Sequence, residues 1–194
     1  MTLASKITLI RIILSPVFFV VFLLPSFFPA LASGGSGWTV PVLWVIFLVC
    51  GFSDMFDGMA ARRRNETSDF GRLFDPFADT LMQITFFFCY VLDGILPAVL
   101  FLLVLYREYS ILFIRVLMMQ KGIAMGARMG GKIKTVTYIL AGGTALLTVS
   151  LKRLALYDFL HQPLGKAAVL LFLISVILSI ISFFDYVSVY RKSA

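Results

Sequence analysis

Six apolar stretches, near residues 12–31, 40–60, 73–92, 96–119, 136–151 and 167–190, follow one another with only short polar breaks. Most are close to the ~20 apolar residues that a helix needs to cross a bilayer. Inside hydrocarbon every backbone N–H and C=O must be satisfied, and a helix does this within its own segment. Of the 194 residues, 60% are hydrophobic and 14% charged, against about 45–50% and about 25% in soluble domains. These proportions exclude a water-soluble globule, a disordered chain, a disulfide scaffold and a collagen-like chain. The expected fold is an all-α integral membrane protein with six transmembrane helices. It forms one domain over residues 1–194, with no sizeable soluble part. Cys50 and Cys89 lie inside apolar stretches and read as reduced packing residues.

The first stretch is preceded by Lys6 and interrupted by Arg11, so residues 3–11 are expected to form a short interfacial segment before the chain enters the bilayer. Ala30-Leu31-Ala32 before Ser33 resembles a signal-peptide cleavage site. Arg11 breaks the apolar run and argues for retention of this segment. Six spans with a cytoplasmic N-terminus put Lys6, Arg11, Arg62, Arg63, Arg64, Arg72, Arg107, Arg115, Lys121, Arg128, Lys132, Lys134, Arg191 and Lys192 toward the cytoplasm. Only Lys152, Arg153 and Lys166 fall outside, a strong positive-inside bias. Both termini are therefore expected to be cytoplasmic. The net charge of +7 suits an anionic lipid surface or phosphate handling, and no nucleic-acid partner is expected. His161, near Pro163, falls in an outer loop and receives no role.

Acidic residues are scarce, ten in all, yet Asp54, Asp57, Asp75 and Asp79 flank one cytoplasmic loop and extend back into apolar helices. An intramembrane carboxylate costs about 2.5–3.5 kcal/mol or more, so four together need compensation. Asp54 and Asp57 are three apart, and Asp75 and Asp79 four apart, so each pair shares a helix face. An antiparallel hairpin of the two helices can bring all four together. Hard oxygen donors without His or Cys favour Mg²⁺, Mn²⁺ or Ca²⁺ over zinc. Gly58, Ala61 and Gly71 permit close approach, and Arg62, Arg63 and Arg64 set cations beside the acids. Carboxylates, a divalent metal and arginines together suit a diphosphate substrate. A structural salt-bridge network and the cation site of a small transporter remain as alternatives. Taken alone, the glycines would be packing residues and the arginines a topology signal.

Written out, the segment reads Asp54-x2-Asp57-Gly58-x2-Ala61-Arg62-x8-Gly71-x3-Asp75-x3-Asp79. This resembles, at every fixed position and gap, the signature of the CDP-alcohol phosphotransferases. The resemblance implies a six-helix membrane fold, usually dimeric, with the site open to cytoplasm and lipid. It implies transfer of a phosphatidyl or similar group from a CDP-linked donor to an alcohol, with release of CMP. Carried over from the signature, Asp54, Asp57, Asp75 and Asp79 would bind one or two Mg²⁺ or Mn²⁺ ions. Asp54, Gly58, Ala61, Arg62 and Gly71 would line the CDP pocket. Asp79, last in the motif, is the candidate catalytic general base.

Beyond the signature, Lys6-Ile7-Thr8-Leu9-Ile10-Arg11, Arg107-Glu108 with Arg115, and Gly131-Lys132-Ile133-Lys134-Thr135 resemble the phosphatidylglycerophosphate synthase branch. Ser5 stands where that branch usually has Asn, and Thr80 where Lys is common. The expected reaction joins CDP-diacylglycerol to glycerol 3-phosphate in a bacterial inner membrane, by a homodimer surrounded by membrane lipids. Arg107, Arg115, Lys132 and Lys134 would bind the acceptor's phosphate, a group that serine or choline lacks. Lys132 and Lys134 also fit a plain topology signal. Glu108 is placed to partner Arg115, seven residues and nearly two turns on. Inositol phosphate, serine, choline or phosphatidylglycerol as acceptor are the alternatives within the family.

Overall fold

The computed structural model describes residues 3–28, 36–64, 69–120, 122 and 129–193, without the side chains of residues 3–7, 52–64, 69–73, 129–132, 189, 192 and 193. Six long helices run through them: α1 (Leu3–Phe27), α2 (Thr39–Arg64), α3 (Asp69–Leu92), α4 (Ala98–Gln120), α5 (Met129–Leu154) and α6 (Asp158–Ser193), with a single 3₁₀ turn at Ser36–Trp38 before α2. No strand occurs among the described residues. Three segments are long and apolar enough to cross a membrane: Thr8–Phe27, Ile133–Leu154 and Asp158–Ser188. Ser36–Gly51 is a shorter apolar helix. The chain is an integral membrane protein.

α3 is the centre of the bundle, and its run of phenylalanines shows why. Phe86 packs on Phe18 of α1 at 4.3 Å between ring centroids and on Phe47 of α2 at 5.5 Å. Phe87, on the next side, meets Tyr138 of α5 at 5.2 Å and Phe172 of α6 at 4.6 Å. Phe88 reaches Phe101 of α4 at 5.7 Å. Three consecutive side chains on a helix point about 100° apart, so one short aromatic run touches all five other helices. Lipid tails are as apolar as these rings, so close packing rather than escape from water holds such helices together. Gly142 of α5 serves the same contact, since a Cβ there would sit 3.2 Å from Phe47 Cε2.

The turns at the far end of the bundle are short and tightly bonded. α3 stops where Gly94 adopts a left-handed φ of 76°, with Ile95 N–H bonded to the Tyr90 carbonyl and Gly94 N–H to Val91. This is the six-to-one and five-to-two pattern that closes helix ends. α5 ends the same way through Ala155 (φ 51°), with Leu156 N–H on Leu151 and Ala155 N–H on Lys152. Arg153 then ties this end together. It donates to Thr39 Oγ1 at 2.6 Å and to the Phe22 carbonyl at 2.7 Å, and lies 4.6 Å over the Phe22 ring.

Two expectations are corrected. Residues 3–11 are not a separate interfacial piece, because α1 is continuous from Leu3 to Phe27. Its inner face carries Thr8, Arg11 and Ser15, all buried, and Arg11 is paired inside the bundle rather than lying on its surface. His161 lies within α6 rather than in a loop, its Nε2 3.0 Å from the Leu156 carbonyl oxygen. The sharp turn at residues 155–157 lets α6 begin nine residues before the apolar stretch read from the sequence. Cys50 and Cys89 stand outside any disulfide and are fully buried, as expected.

Phe87→Ala should remove the central contact. Truncating a buried Phe typically costs about 3–5 kcal/mol, so the purified variant should lose several degrees of thermal midpoint in detergent, and more than Phe88→Ala. Equal losses would contradict the central role of Phe87.

Candidate functional site

Asp75 and Asp79 lie one turn apart on the face of α3 that meets α1. The inner face of α1 answers them with polar groups at matching height. Thr8 Oγ1 donates to Asp75 Oδ1, and the Arg11 guanidinium pairs with Asp79 Oδ1. Thr8 and Arg11 are 0% and 1% exposed, while the Asp79 side chain keeps 29% of its surface open. Ser15 Oγ donates back to the Arg11 carbonyl at 2.7 Å. The arrangement follows from cost: a charge buried in an apolar bundle is tolerated only when it is paired and hydrogen-bonded. Asp79 is thus paired with Arg11 and still partly exposed toward the cleft it lines.

Asp54, Asp57, Gly58, Ala61 and Arg62 fall on the last three turns of α2 and Gly71 on the first turn of α3, but their side chains lie outside the described residues, as does that of Lys132. Among the described residues no cluster of three or more His, Cys, Asp or Glu forms. The two carboxylates that are described, Asp75 and Asp79, offer hard oxygen donors from one helix face, which suits Mg²⁺ or Mn²⁺ and not zinc.

A second polar centre lies among α4, α5 and α6. Glu108 Oε1 accepts from Arg107 Nη1 at 2.9 Å, from Lys134 Nζ at 2.8 Å and from Tyr138 Oη at 3.3 Å. Arg107 Nε donates to the Ser179 carbonyl at 3.0 Å, and Tyr138 Oη also lies 3.1 Å from Ser179 Oγ. Arg107, Glu108 and Lys134 are each less than a tenth exposed. Two cations share one carboxylate, so the cluster keeps a net positive charge. The expected partnership of Glu108 with Arg115 is not formed. Lys134, from a neighbouring helix, takes its place, and the Arg115 guanidinium instead lies 5.8 Å over the Tyr186 ring. Arg115 Nε is buried with no hydrogen-bond partner among the described residues.

Of the predicted acceptor residues, Arg107 and Lys134 are therefore brought together, and Arg115 stands apart on the α4–α6 contact. Thr135 and Tyr138, next to this centre, also line the cleft that holds Asp79, which connects the two polar groups along one opening. Sequence reasoning placed Arg11 among the topology signals and gave Thr8 no role. The available signal was their three-residue spacing, which puts both on one helix face.

Residues 1–186 match the CDP-alcohol phosphatidyltransferase family. The CDP-diacylglycerol–glycerol-3-phosphate 3-phosphatidyltransferase of Treponema pallidum is 34% identical over 168 residues, covering 84% of this chain and 76% of its own length. The enzyme of the same name from Bacillus subtilis is 32% identical, over 75% of this chain and 76% of its own. A probable phosphatidylglycerophosphate synthase of Mycobacterium tuberculosis is 30% identical over 96% of this chain and 80% of its own. A match of this extent reaches from the Thr8–Arg11 face through both polar centres to α6, and the chain therefore belongs to the CDP-alcohol phosphatidyltransferase family of membrane transferases.

Proposed function

We propose that this chain makes phosphatidylglycerophosphate by transferring the phosphatidyl group of CDP-diacylglycerol to sn-glycerol 3-phosphate, releasing CMP. The observation that carries this reading is the family match over residues 1–186, joined by relatives named for that reaction over most of the chain. The buried cluster of Arg107, Glu108 and Lys134 supports the acceptor. Its surplus positive charge is unnecessary for a neutral or zwitterionic alcohol and useful for one that carries its own phosphate.

In this reading all six helices span a bacterial inner membrane, as one catalytic domain with both termini and the site on the cytoplasmic side. The charge bias of the loops supports that orientation. The family resemblance supports a homodimer. Asp54, Asp57, Asp75 and Asp79 would hold the divalent Mg²⁺ or Mn²⁺ ions that neutralise the diphosphate and stabilise CMP as it leaves. Asp54, Gly58, Ala61, Arg62 and Gly71 would line the CDP pocket. Arg107, Arg115, Lys132 and Lys134 would draw in the acceptor phosphate, Arg107 and Lys134 with Glu108 fixing their positions. Asp79, partly exposed in the cleft, would take the proton from the acceptor hydroxyl. As that oxygen bonds to the lipid-side phosphorus, the bond from phosphorus to the CMP oxygen breaks. Arg11 and Thr8 act through Asp79 and Asp75, fixing the two carboxylates in place.

Purified protein should release CMP from CDP-diacylglycerol only when glycerol 3-phosphate and Mg²⁺ or Mn²⁺ are both present. Release with serine, choline or inositol phosphate instead would change the acceptor, and transport without consumption would replace the enzyme by a transporter. Asp79→Asn should lose about 10²–10⁴ of turnover, the usual contribution of a positioned base, in protein that is still folded at the assay temperature but has a lowered thermal midpoint, because the buried Arg11 loses its counter-charge. Lys134→Met should raise the KM for glycerol 3-phosphate far more than that for the lipid donor; equal rises would make Lys134 a structural residue. Arg11→Met leaves Asp79 without its partner and should cut turnover at least tenfold. Arg11→Lys should recover part of it, and no recovery would show that more than charge is needed there.

A further inference from the structure

At the end of the bundle away from Asp79, the turn that closes α3 and the facing ends of α5 and α6 border an open groove of about 550 Å³. That is within the ~300–1,000 Å³ usual for ligand sites. Lys152, on its α5 wall, follows Lys134 on the same helix by about 27 Å of helix axis. The groove is therefore separate from both polar centres described above.

Its α6 wall is graded in polarity. Gln162, Lys166, Val169, Leu170 and Leu173 line it, and steps of three and four residues set them on one helix face. The amide and the ammonium come first, and aliphatic side chains follow as α6 runs into its apolar stretch. Leu170 is 59% exposed, so the apolar half opens on the flank of the bundle, where lipid lies. Across the groove Lys152 stands one turn beyond Thr148 of α5 and sets a second cation in the lining. No carboxylate lines the groove among the described residues. Asp93, behind it, meets Lys152 at 3.1 Å, and the solvent-exposed Asp158 has Oδ1 3.8 Å from His161 Nδ1. Asp93 matches one lysine, and Lys166 supplies the surplus charge of the lining.

Basic residues are sparse at this end, where the loop charge bias leaves only Lys152, Arg153 and Lys166. Arg153 is engaged by Thr39 and by the Phe22 carbonyl. The other two come from different helices and line one groove, a convergence that topology alone does not require.

We propose that this groove binds an anionic phospholipid of the adjoining leaflet. Its phosphodiester lies between Lys152 and Lys166, within reach of the Gln162 amide, and one acyl chain runs past Val169, Leu170 and Leu173. A free phosphate would use the cationic part alone, whereas the exposed aliphatic wall fits a lipid. The site is independent of the reaction assigned above.

A ligand that binds the folded bundle and not the unfolded chain raises its unfolding midpoint. The test titrates full-length protein in dodecyl maltoside with dioleoyl-phosphatidylglycerol, with dioleoyl-phosphatidylcholine or with inorganic phosphate, and reads that midpoint. Phosphatidylglycerol should raise it saturably, and phosphatidylcholine and inorganic phosphate should raise it much less. Lys166→Gln, an exposed change, should keep the lipid-free midpoint and weaken the apparent Kd for phosphatidylglycerol about fivefold, the weight of one lysine near an anionic membrane surface. Leu170→Gln should weaken it about threefold by removing apolar contact. Equal stabilisation by the two lipids overturns the proposal, as does a Lys166→Gln variant whose affinity for phosphatidylglycerol is unchanged. Inorganic phosphate that stabilises as well as phosphatidylglycerol, with the same dependence on Lys166, would make the groove a free-anion site and overturn it too.

Discussion

Charge inside an apolar bundle has to find its counter-charge inside the same bundle, and the architecture of this protein follows from that requirement. Water is not at hand to solvate Arg11, Glu108, Arg107 or Lys134, and leaving any one of them alone costs more than the chain gains by keeping it. Each is accordingly met from another helix or from its neighbour in sequence. Arg11 of α1 meets Asp79 of α3, and Lys134 of α5 joins Arg107 on Glu108 of α4. The pairs act as registers. A helix that slid by one turn, about 5.4 Å, would separate Arg11 from Asp79 and Thr8 from Asp75 together.

The same requirement explains why α3 is built in two halves. Its first turns carry the acids, and its later turns carry Phe86, Phe87 and Phe88, which contact the remaining helices. Ring packing gives the acids a fixed base without placing another charge near them. At the opposite end Arg153 reaches the Phe22 carbonyl and Thr39, so α1, α2 and α5 are pinned there by bonds to oxygen atoms. Chemistry gathers at one end of the bundle and capping at the other.

How much of this could be read from residues alone depends on the distance over which each interaction is encoded. The helices and the shared face of Asp75 and Asp79 are local patterns of three or four residues and were legible. So were the buried, reduced Cys50 and Cys89. The partnership of Arg11 with Asp79 spans 68 positions, and no periodicity links them; Arg11 read as one more cation in a positive-inside bias. Glu108 shows the converse error. Residue 115 lies on roughly the same face of α4 and looked like a partner, but Lys134 arrives from α5 at 2.8 Å with a shorter reach to make. The start of α6 was hidden because Gln162 and Pro163 look like loop, and the turn at Ala155 and Tyr157 uses left-handed backbone at residues that do not advertise it.

The two polar centres are separated in sequence and joined in space by the cleft wall of Thr135 and Tyr138. That junction gives the bundle a direction. A donor with a diphosphate and an acceptor with its own phosphate would bring negative charge toward both centres, and the surplus cation beside Glu108 is the one placed to answer the acceptor. The Arg11–Asp79 pair has no such surplus, because its single positive charge is matched by a single negative one. In the proposed mechanism, uptake of an anionic acceptor therefore falls to the α4–α5 side, and proton removal to the α1–α3 side. The division holds because each group is already fixed by its partner before any substrate arrives, so neither has to be ordered at the moment of reaction.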